Sequence, residues 1–389
     1  MKKFLALILA LLMISASAIS CSKMRENDLD QSESNSESNY DGTSDITGDN
    51  PSKDSDKAPG SDKNNNKNDT SDDDGDNNDD DEKVIKKKIT FGSYPQSEVT
   101  NESLIATLNT KAGKLPTKSA PQKWKSFKHY HKYKENNEDK AERDFMWYID
   151  IMEGDQKYRG VYFTAYRPTY VLRSSAATTS YQDDNGYLIN TVYWFKYEPI
   201  SWTVLEENSA DGTSLILCDM IIDSGEFDYD SLNSKPTYDN NYSKSSVRTW
   251  LNSTFLTAAF NVTEQAKIQT STVDNSIIST GHHVNPNACA NTKDKIFLLS
   301  YAEAVNDKYG LELNEARIKK PTAYAKAQGI YTEKNGTSDW WLRSPAPDPL
   351  VFDKSNMTVR GVTSVGNVDS YITANQSYRG IVPALRVKL

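Results

Sequence analysis

Hydrophobic and polar residues alternate with a period of two between residues 191 and 206. The apolar positions are Val192, Trp194, Ile200, Trp202 and Val204. This period predicts a strand with one buried face, and Pro199 within it indicates a bulge or a break. Gly212 precedes a second apolar run over 214–222, so we expect the two runs to form an antiparallel hairpin.

The period changes to that of a helix after residue 243. Val247, Trp250 and Leu251 stand at positions i, i+3 and i+4, and either Ser243 or Ser245 can cap the helix. This stripe predicts that Trp250 lies in the core. Further helices are predicted at 102–109 and 263–268. A Ser300–Glu303 capping box predicts another at 301–310, and Pro321 with Gly329 predicts one at 321–328.

The remaining apolar runs are short and predict strands. They lie at 84–95, 145–152, 158–166, 296–299, 340–343, 358–365 and 381–387. Residues 111–142 are rich in lysine and other polar residues and predict a surface loop or an insertion. Strands at both ends of the folded part with helices between them indicate an α+β domain.

The amino terminus has the features of an export signal. Lys2 and Lys3 precede an apolar run over 4–14, which is too short to span a bilayer and suits a signal peptide over 1–20. The stretch from Ala18 to Cys21 resembles a bacterial lipobox, with Ala18 where Leu is usual. It predicts lipidation of Cys21. The alternative is ordinary cleavage after Ala18, which would release a free secreted protein.

Residues 21–83 are almost entirely polar, with many acidic, Asn and Ser residues. Such a segment cannot bury enough apolar surface to fold, so it predicts a disordered tether of roughly 40–50 Å before a folded part over 84–389. Most of the chain's net charge of −9 falls before residue 89. The nearly neutral remainder argues against a nucleic-acid partner bound through its phosphates.

Six segments, taken in order, resemble an uncharacterised family of bacterial exported and surface domains. They are 91–96 (FGSYPQ), 196–205 (KYEPISWTVL), 245–252 (SSVRTWLN), 296–300 (IFLLS), 340–345 (WWLRSP) and 383–385 (PAL). The resemblance covers about 88–389. It implies a single domain of short helices and twisted antiparallel sheets, distantly like the C-type-lectin-like fold of sulfatase-modifying proteins. It implies no activity.

This sequence departs from the family pattern at Val382, where an arginine is expected before Pro383. The resemblance implies that this arginine pairs with a carboxylate in the core. Arg379 or Arg386 could take that role.

The residues that carry common catalytic or metal chemistry are sparse. Cys218 lies in an apolar run and Cys289 in a polar one, so both are expected to be free thiols rather than a reactive pair. The four histidines form two pairs, His129 with His131 and His282 with His283. Neither pair has the spacing of a zinc site. We therefore expect no metal, no cofactor and no catalytic residues.

Aromatic residues are abundant, with 22 Tyr and 7 Trp. Tyr and Trp combine an apolar face with a polar group, which suits ligand binding and sugar stacking. The candidate binding residues are Tyr193, Trp194, Trp341 and Arg343. Neighbouring strand residues face opposite ways, so Trp340 is expected to face the core while Trp341 faces outward beside Arg343.

Two functions from different classes follow. The first is a lipoprotein tethered to the outer face of a bacterial cell membrane or outer membrane, which binds a carbohydrate, a host protein or a cell-wall component. The second is a structural or envelope-assembly lipoprotein without a small ligand. An enzyme is the least favoured interpretation.

Overall fold

The computed structural model describes residues 86–117, 123–127, 130–136, 138–167, 181–229, 239–347, 357–368 and 370–389. All of them belong to one compact unit. The predicted signal peptide and the whole of the predicted tether, including Cys21, lie outside the described residues. Within those residues, no helix is long and apolar enough to cross a membrane.

The described residues contain eighteen strands, most of them short. They are β1 (Lys88–Glu98), β2 (Lys125–Ser126), β3 (Tyr130–Glu135), β4 (Glu138–Arg143), β5 (Met146–Glu153), β6 (Gln156–Phe163), β7 (Val192–Glu206), β8 (Ser214–Cys218), β9 (Asp223–Ser224), β10 (Ile268–Gln269), β11 (Ser271–Val273), β12 (Thr292–Asp294), β13 (Ile296–Phe297), β14 (Trp340–Pro345), β15 (Thr358–Val362), β16 (Ser370–Thr373), β17 (Gly380–Ile381) and β18 (Ala384–Val387).

The helices are also short. They are α1 (Glu102–Ala112), α2 (Tyr181–Asp184), α3 (Ser246–Trp250), α4 (Leu256–Ala259), α5 (Val262–Lys267), α6 (Tyr301–Ala304), α7 (Asn314–Arg317) and α8 (Ala323–Ala327), with 3₁₀ turns at Tyr242–Lys244, Ile278–Thr280 and Asp307–Tyr309. The mixture of helices with largely antiparallel sheets confirms the predicted α+β class.

A nine-stranded sheet forms the larger layer. Its order is β10-β18-β8-β7-β6-β5-β2, with β1 paired to β7 and β13 paired to β18. The predicted hairpin is confirmed, because β7 pairs antiparallel with β8 from Trp202 opposite Cys218 to Glu206 opposite Leu215. The register shifts within this pairing, which marks an irregularity close to the turn.

A five-stranded sheet of order β16-β15-β14-β17-β9 forms the second layer. The chain passes between the layers at two neighbouring places. One is 219–222, between β8 and β9, and the other is 382–383, between β17 and β18. Pro383 cannot donate a backbone hydrogen bond, so the predicted strand over 381–387 divides there into two strands of different sheets.

One helical segment runs from α3 into α4 through a π-helical turn, Leu251–Phe255. In this turn the backbone N–H of Leu256 donates to the carbonyl of Leu251, five residues earlier. The hydroxyl of Ser245 accepts from the Arg248 N–H, which confirms this serine as the cap. The π turn inserts an extra residue, so the side chains on either side of it do not follow one α-helical stripe.

Two local predictions are wrong. The predicted loop over 111–142 contains β2 and a hairpin of β3 with β4. That hairpin is polar at nearly every position, so no hydrophobic period marks it. The predicted helix over 301–310 ends at Ala304, because the Asn306 side chain accepts from the Lys308 N–H and starts a 3₁₀ turn.

Candidate functional site

The two neighbouring tryptophans of β14 are both buried, at 1% exposure for Trp340 and 0% for Trp341. The prediction that Trp341 faces outward is therefore wrong. Its indole N–H donates to the Gly225 carbonyl at 2.8 Å, and that of Trp340 donates to the Arg317 carbonyl at 3.1 Å. A strand that is covered on both faces buries successive side chains, and β14 is such a strand.

Arg343 does not reach solvent either. It donates to the carbonyls of Leu298 at 2.7 Å and Asp274 at 2.9 Å, and it pairs with the carboxylate of Glu303. These contacts hold β14 against the segments on either side. The side chain expected beside a ligand is thus a cross-link within the core.

The other two candidates lie elsewhere in the fold. Trp194 is 1% exposed and donates to the side-chain oxygen of Asn109 at 2.8 Å. Tyr193 is half-buried, and its hydroxyl accepts from the Leu188 N–H at 2.8 Å. The four predicted binding residues do not converge on one surface.

Arg379 is the arginine near Val382 that pairs in the core. It is 2% exposed, donates to Asp339 at 3.0 Å and lies 5.2 Å from the Trp341 ring. Arg386 pairs instead with the more exposed Glu206.

A cleft of about 570 Å³ opens where β5 and β6 of the large sheet, the edge strand β9 of the smaller sheet and the helical segment after Ser245 come together. Its lining residues come from many parts of the chain. They are Tyr94, Lys125, Ser126, Phe127, Tyr148, Arg159, Asp223, Ser224, Gly225, Glu226, Tyr229, Ser246, Val247, Trp250, Thr254, Gln328 and Ile381.

Arg159 of β6 lines this cleft and is 3% exposed. Its Nε and Nη2 donate to the two carboxylate oxygens of Asp150 at 2.8 and 2.9 Å. Four tyrosine rings surround the guanidinium at 4.5 to 5.8 Å, those of Tyr94, Tyr148, Tyr197 and Tyr324. Burial acts to raise the pKa of Asp150, but the hydrogen bonds and charge of Arg159 outweigh it and lower the pKa.

Asp223 of β9 is the second buried charge-bearing group in the cleft. Its carboxylate accepts from the Tyr94 hydroxyl at 2.8 Å and from the Ser224 N–H at 2.8 Å. Burial raises the pKa of Asp223 to about 6, although the hydrogen bonds and the charges of Arg159 and Arg167 act in the opposite direction. The carboxyl therefore changes its charge within the physiological pH range.

Gln328 follows α8 and contributes a wholly buried side chain to the cleft. Its backbone is fixed, because its N–H donates to the Tyr324 carbonyl at 3.0 Å and its carbonyl accepts from Arg167 at 2.8 Å. Neither the side-chain oxygen nor the nitrogen has a hydrogen-bond partner among the described residues. Arg167 itself pairs with Glu226 at 2.9 Å.

Aromatic faces line the rest of the cleft. Trp250 is half-buried and stacks on Phe255 at 5.2 Å, while Tyr148 packs on Phe127 at 4.7 Å. The prediction that Trp250 lies in the core is wrong in degree. It packs against the core at one side and lines the cleft at the other.

A second depression of about 580 Å³ lies between 90–93 and 257–261. Its carboxylate, Glu264, accepts from the Asn261 N–H at 2.8 Å and from the Gly92 N–H at 3.3 Å. That carboxylate caps helix α5 and holds the neighbouring strand. The buried titratable groups and the unpartnered glutamine belong to the first cleft.

The cysteine prediction is confirmed, since Cys218 and Cys289 are free. Burial raises the pKa of Cys218 to about 12, so its thiol stays protonated and unreactive. The described residues contain no group of three or more His, Cys, Asp or Glu side chains that could hold a metal ion. His129 lies outside them.

Sequence reasoning missed the polar residues of the cleft. Arg159 carried a signal, because it stands within an otherwise apolar run, where a charge needs a buried partner. Asp223 and Gln328 carried none, since Asp223 lies in a two-residue strand, Gln328 directly follows a short helix, and each becomes buried only through tertiary packing.

Comparison with known proteins gives a coarse result. Residues 211–389 match a domain of unknown function (DUF6273). The matched region includes the smaller sheet, the helical segment and the Asp223 and Gln328 side of the cleft. No curated protein and no solved structure matches the chain.

Proposed function

We propose that residues 84–389 form the ligand-binding domain of an exported bacterial lipoprotein, and that the cleft around Arg159 binds a carbohydrate. One observation carries this proposal. The cleft joins the aromatic faces of Trp250 and Tyr148 to buried hydrogen-bonding groups on Asp223 and Gln328. Aromatic rings stack on the apolar faces of sugar rings, and the polar groups fix their hydroxyls.

The charges of the cleft favour a neutral ligand. Arg159 and Arg167 each pair with a carboxylate, so neither presents an uncompensated charge. Asp223 is protonated for part of the time near neutral pH. The site therefore offers oriented hydrogen bonds rather than the strong field that an ionic ligand needs.

The location rests on the sequence. A lipid on Cys21 would hold the protein at the outer face of a bacterial membrane, and the polar segment after it would place the domain away from that surface. The order of the sequence motifs and the mixed α+β architecture support a C-type-lectin-like fold.

A glycan array probed with the soluble Cys21→Ser protein tests the binding function. The matched variants are Trp250→Ala, in the cleft, and Tyr331→Ala, an exposed aromatic side chain outside it. We expect binding to be lost only in Trp250→Ala. Equal binding by both variants would place the ligand elsewhere.

The structural lipoprotein remains the second candidate, and one observation favours it. The whole of β14, which contains two of the predicted binding residues, is buried. An array without any bound glycan, together with an envelope defect in cells that lack the protein, would favour this function.

A further inference from the structure

We propose that the carbohydrate is an N-acetylated sugar and that Gln328 recognises its acetamido group. This inference rests on the proposed function and names the ligand class of the same cleft. Its starting point is Gln328, a buried residue that lines the cleft and whose side-chain oxygen and nitrogen have no hydrogen-bond partner among the described residues.

The position of Gln328 leaves its side chain little freedom. Its backbone N–H and carbonyl are both engaged, by Tyr324 and Arg167, and its side chain is 0% exposed. A buried amide that lacks hydrogen bonds destabilises the folded protein. A ligand that satisfies both atoms removes that cost, which makes Gln328 a determinant of specificity.

A primary amide presents one acceptor and two donors in a fixed plane. An acetamido group presents a C=O and an N–H in a plane of its own, so the two amides can exchange a pair of hydrogen bonds. The acetamido methyl needs apolar surface, and the same cleft contains Val247 and Ile381, which are 3% and 4% exposed.

Charged sugars fit this cleft less well. Arg159 is paired with Asp150, and Glu226 is paired with Arg167, so neither pair has a free charge to offer an ionic group of the ligand. A neutral sugar does not need such a partner.

Calorimetry with two trisaccharides tests the inference on the soluble Cys21→Ser protein. Chitotriose and cellotriose share their β-1,4-linked pyranose backbone, and only chitotriose carries acetamido groups. We expect chitotriose to bind at least tenfold more tightly. Gln328→Met, which keeps the side-chain shape, should weaken chitotriose binding at least tenfold and leave cellotriose binding unchanged.

Gln376→Leu is the matched control, because Gln376 is also buried, lacks a partner for its Oε1 and lies outside the cleft. It should leave both affinities unchanged. Equal binding of the two trisaccharides by the unsubstituted protein overturns the inference whether or not the variants fold. In that case the glycan array still decides the proposed function by itself.

The same acetamido chemistry has two biological sources, the glycan strands of bacterial cell walls and the glycans of a host. A second titration compares a cell-wall disaccharide fragment with N-acetyllactosamine. If the protein prefers one of these two disaccharides, that preference identifies the source and supports the inference. If neither disaccharide binds and chitotriose does not bind either, the inference is overturned.

Discussion

Four buried arginines join separate parts of this fold, and each meets a partly exposed carboxylate. The pairs are Arg159 with Asp150, Arg167 with Glu226, Arg343 with Glu303, and Arg379 with Asp339. The arginine side chains are 2–4% exposed, and their partners are 18–27% exposed. A buried guanidinium needs such pairing to offset its lost hydration, so these residues specify which segments lie together.

Trp250→Ala should affect binding more than stability, because Trp250 is only half-buried. Trp202→Ala is the comparison, since Trp202 is 0% exposed and donates to the Phe91 carbonyl at 2.8 Å. We expect Trp202→Ala to cost about 3–5 kcal/mol of unfolding free energy and Trp250→Ala clearly less. Urea unfolding measures both, and equal losses would contradict this account.

Asp223→Asn should change how stability depends on pH. The pKa of Asp223 rises from 3.8 unfolded to about 6 folded, so the folded state holds its proton more tightly. The stability that this protonation contributes is complete below pH 4 and is lost as the pH rises through 6. Between pH 4 and pH 7, the unfolding free energy of the variant should therefore rise by roughly 3 kcal/mol relative to that of the unsubstituted protein.

Urea unfolding across this pH range checks the prediction, with Asp155→Asn, at an exposed turn position, as the control. If the difference in unfolding free energy between Asp223→Asn and the unsubstituted protein were the same at every pH, folding would not change the pKa of Asp223. Tyr94, Arg159 and Arg167 are the side chains that act on this carboxyl.

Residue-level prediction from the sequence succeeded where burial follows a local period and failed where it does not. The alternation around Trp202 placed that side chain in the core correctly. Alternation also placed Trp341 outward, but strand β14 has no exposed face. Whether a strand is covered on one face or two depends on segments distant in the chain, and a local pattern does not record it.

At the scale of elements, the helical stripe placed two of its three residues correctly. Val247 and Leu251 are 3% and 0% exposed, and the Leu251 N–H donates to the Val247 carbonyl, so the α-helical turn that carries the stripe is intact. Trp250 is half-buried, packing against the core and lining the cleft. The π-helical turn begins at the next residue, and such turns are often found at functional sites.

Close packing of two strands also depends on a glycine. Gly361 of β15 lies opposite Trp341 of β14, and a Cβ atom there would stand 1.9 Å from the Arg379 Nη1 and 2.8 Å from the Trp340 carbonyl oxygen. Gly361→Ala should therefore displace Arg379 from Asp339 and cost about 1–3 kcal/mol.

Thermal unfolding compares this variant with Gly225→Ala, whose Cβ would meet only ordinary contacts of 3.7 Å and longer. We expect the melting temperature to fall for Gly361→Ala alone. An unchanged melting temperature for Gly361→Ala would mean that Arg379 can move away from Asp339 without loss of stability.

Element prediction was most accurate where chemistry is local. The Ser300–Glu303 capping box, the Ser245 cap and the hairpin of β7 with β8 are all present. The division at Pro383 could not be located from the sequence, because a proline permits a break without revealing that the two halves join different sheets.

For the whole molecule, Cys21→Ser tests the anchor. A lipidated protein should fractionate with membranes, while the variant should appear in the aqueous fraction and lose acyl labelling, because the polar segment that follows offers no other anchor. A variant that still sediments with membranes would show that something other than the lipid holds it. Cys218→Ser, at a buried free thiol, controls for a general effect of removing cysteine.

The position of β18 has a consequence for the order in which the sheet can form. This strand lies between β8 on one side and β10 and β13 on the other, so β10 and β13 are joined to the large sheet only through residues 384–387. If the chain is exported amino end first, as the proposed lipoprotein would be, these residues cross the membrane late, and that end of the sheet cannot be completed before they arrive.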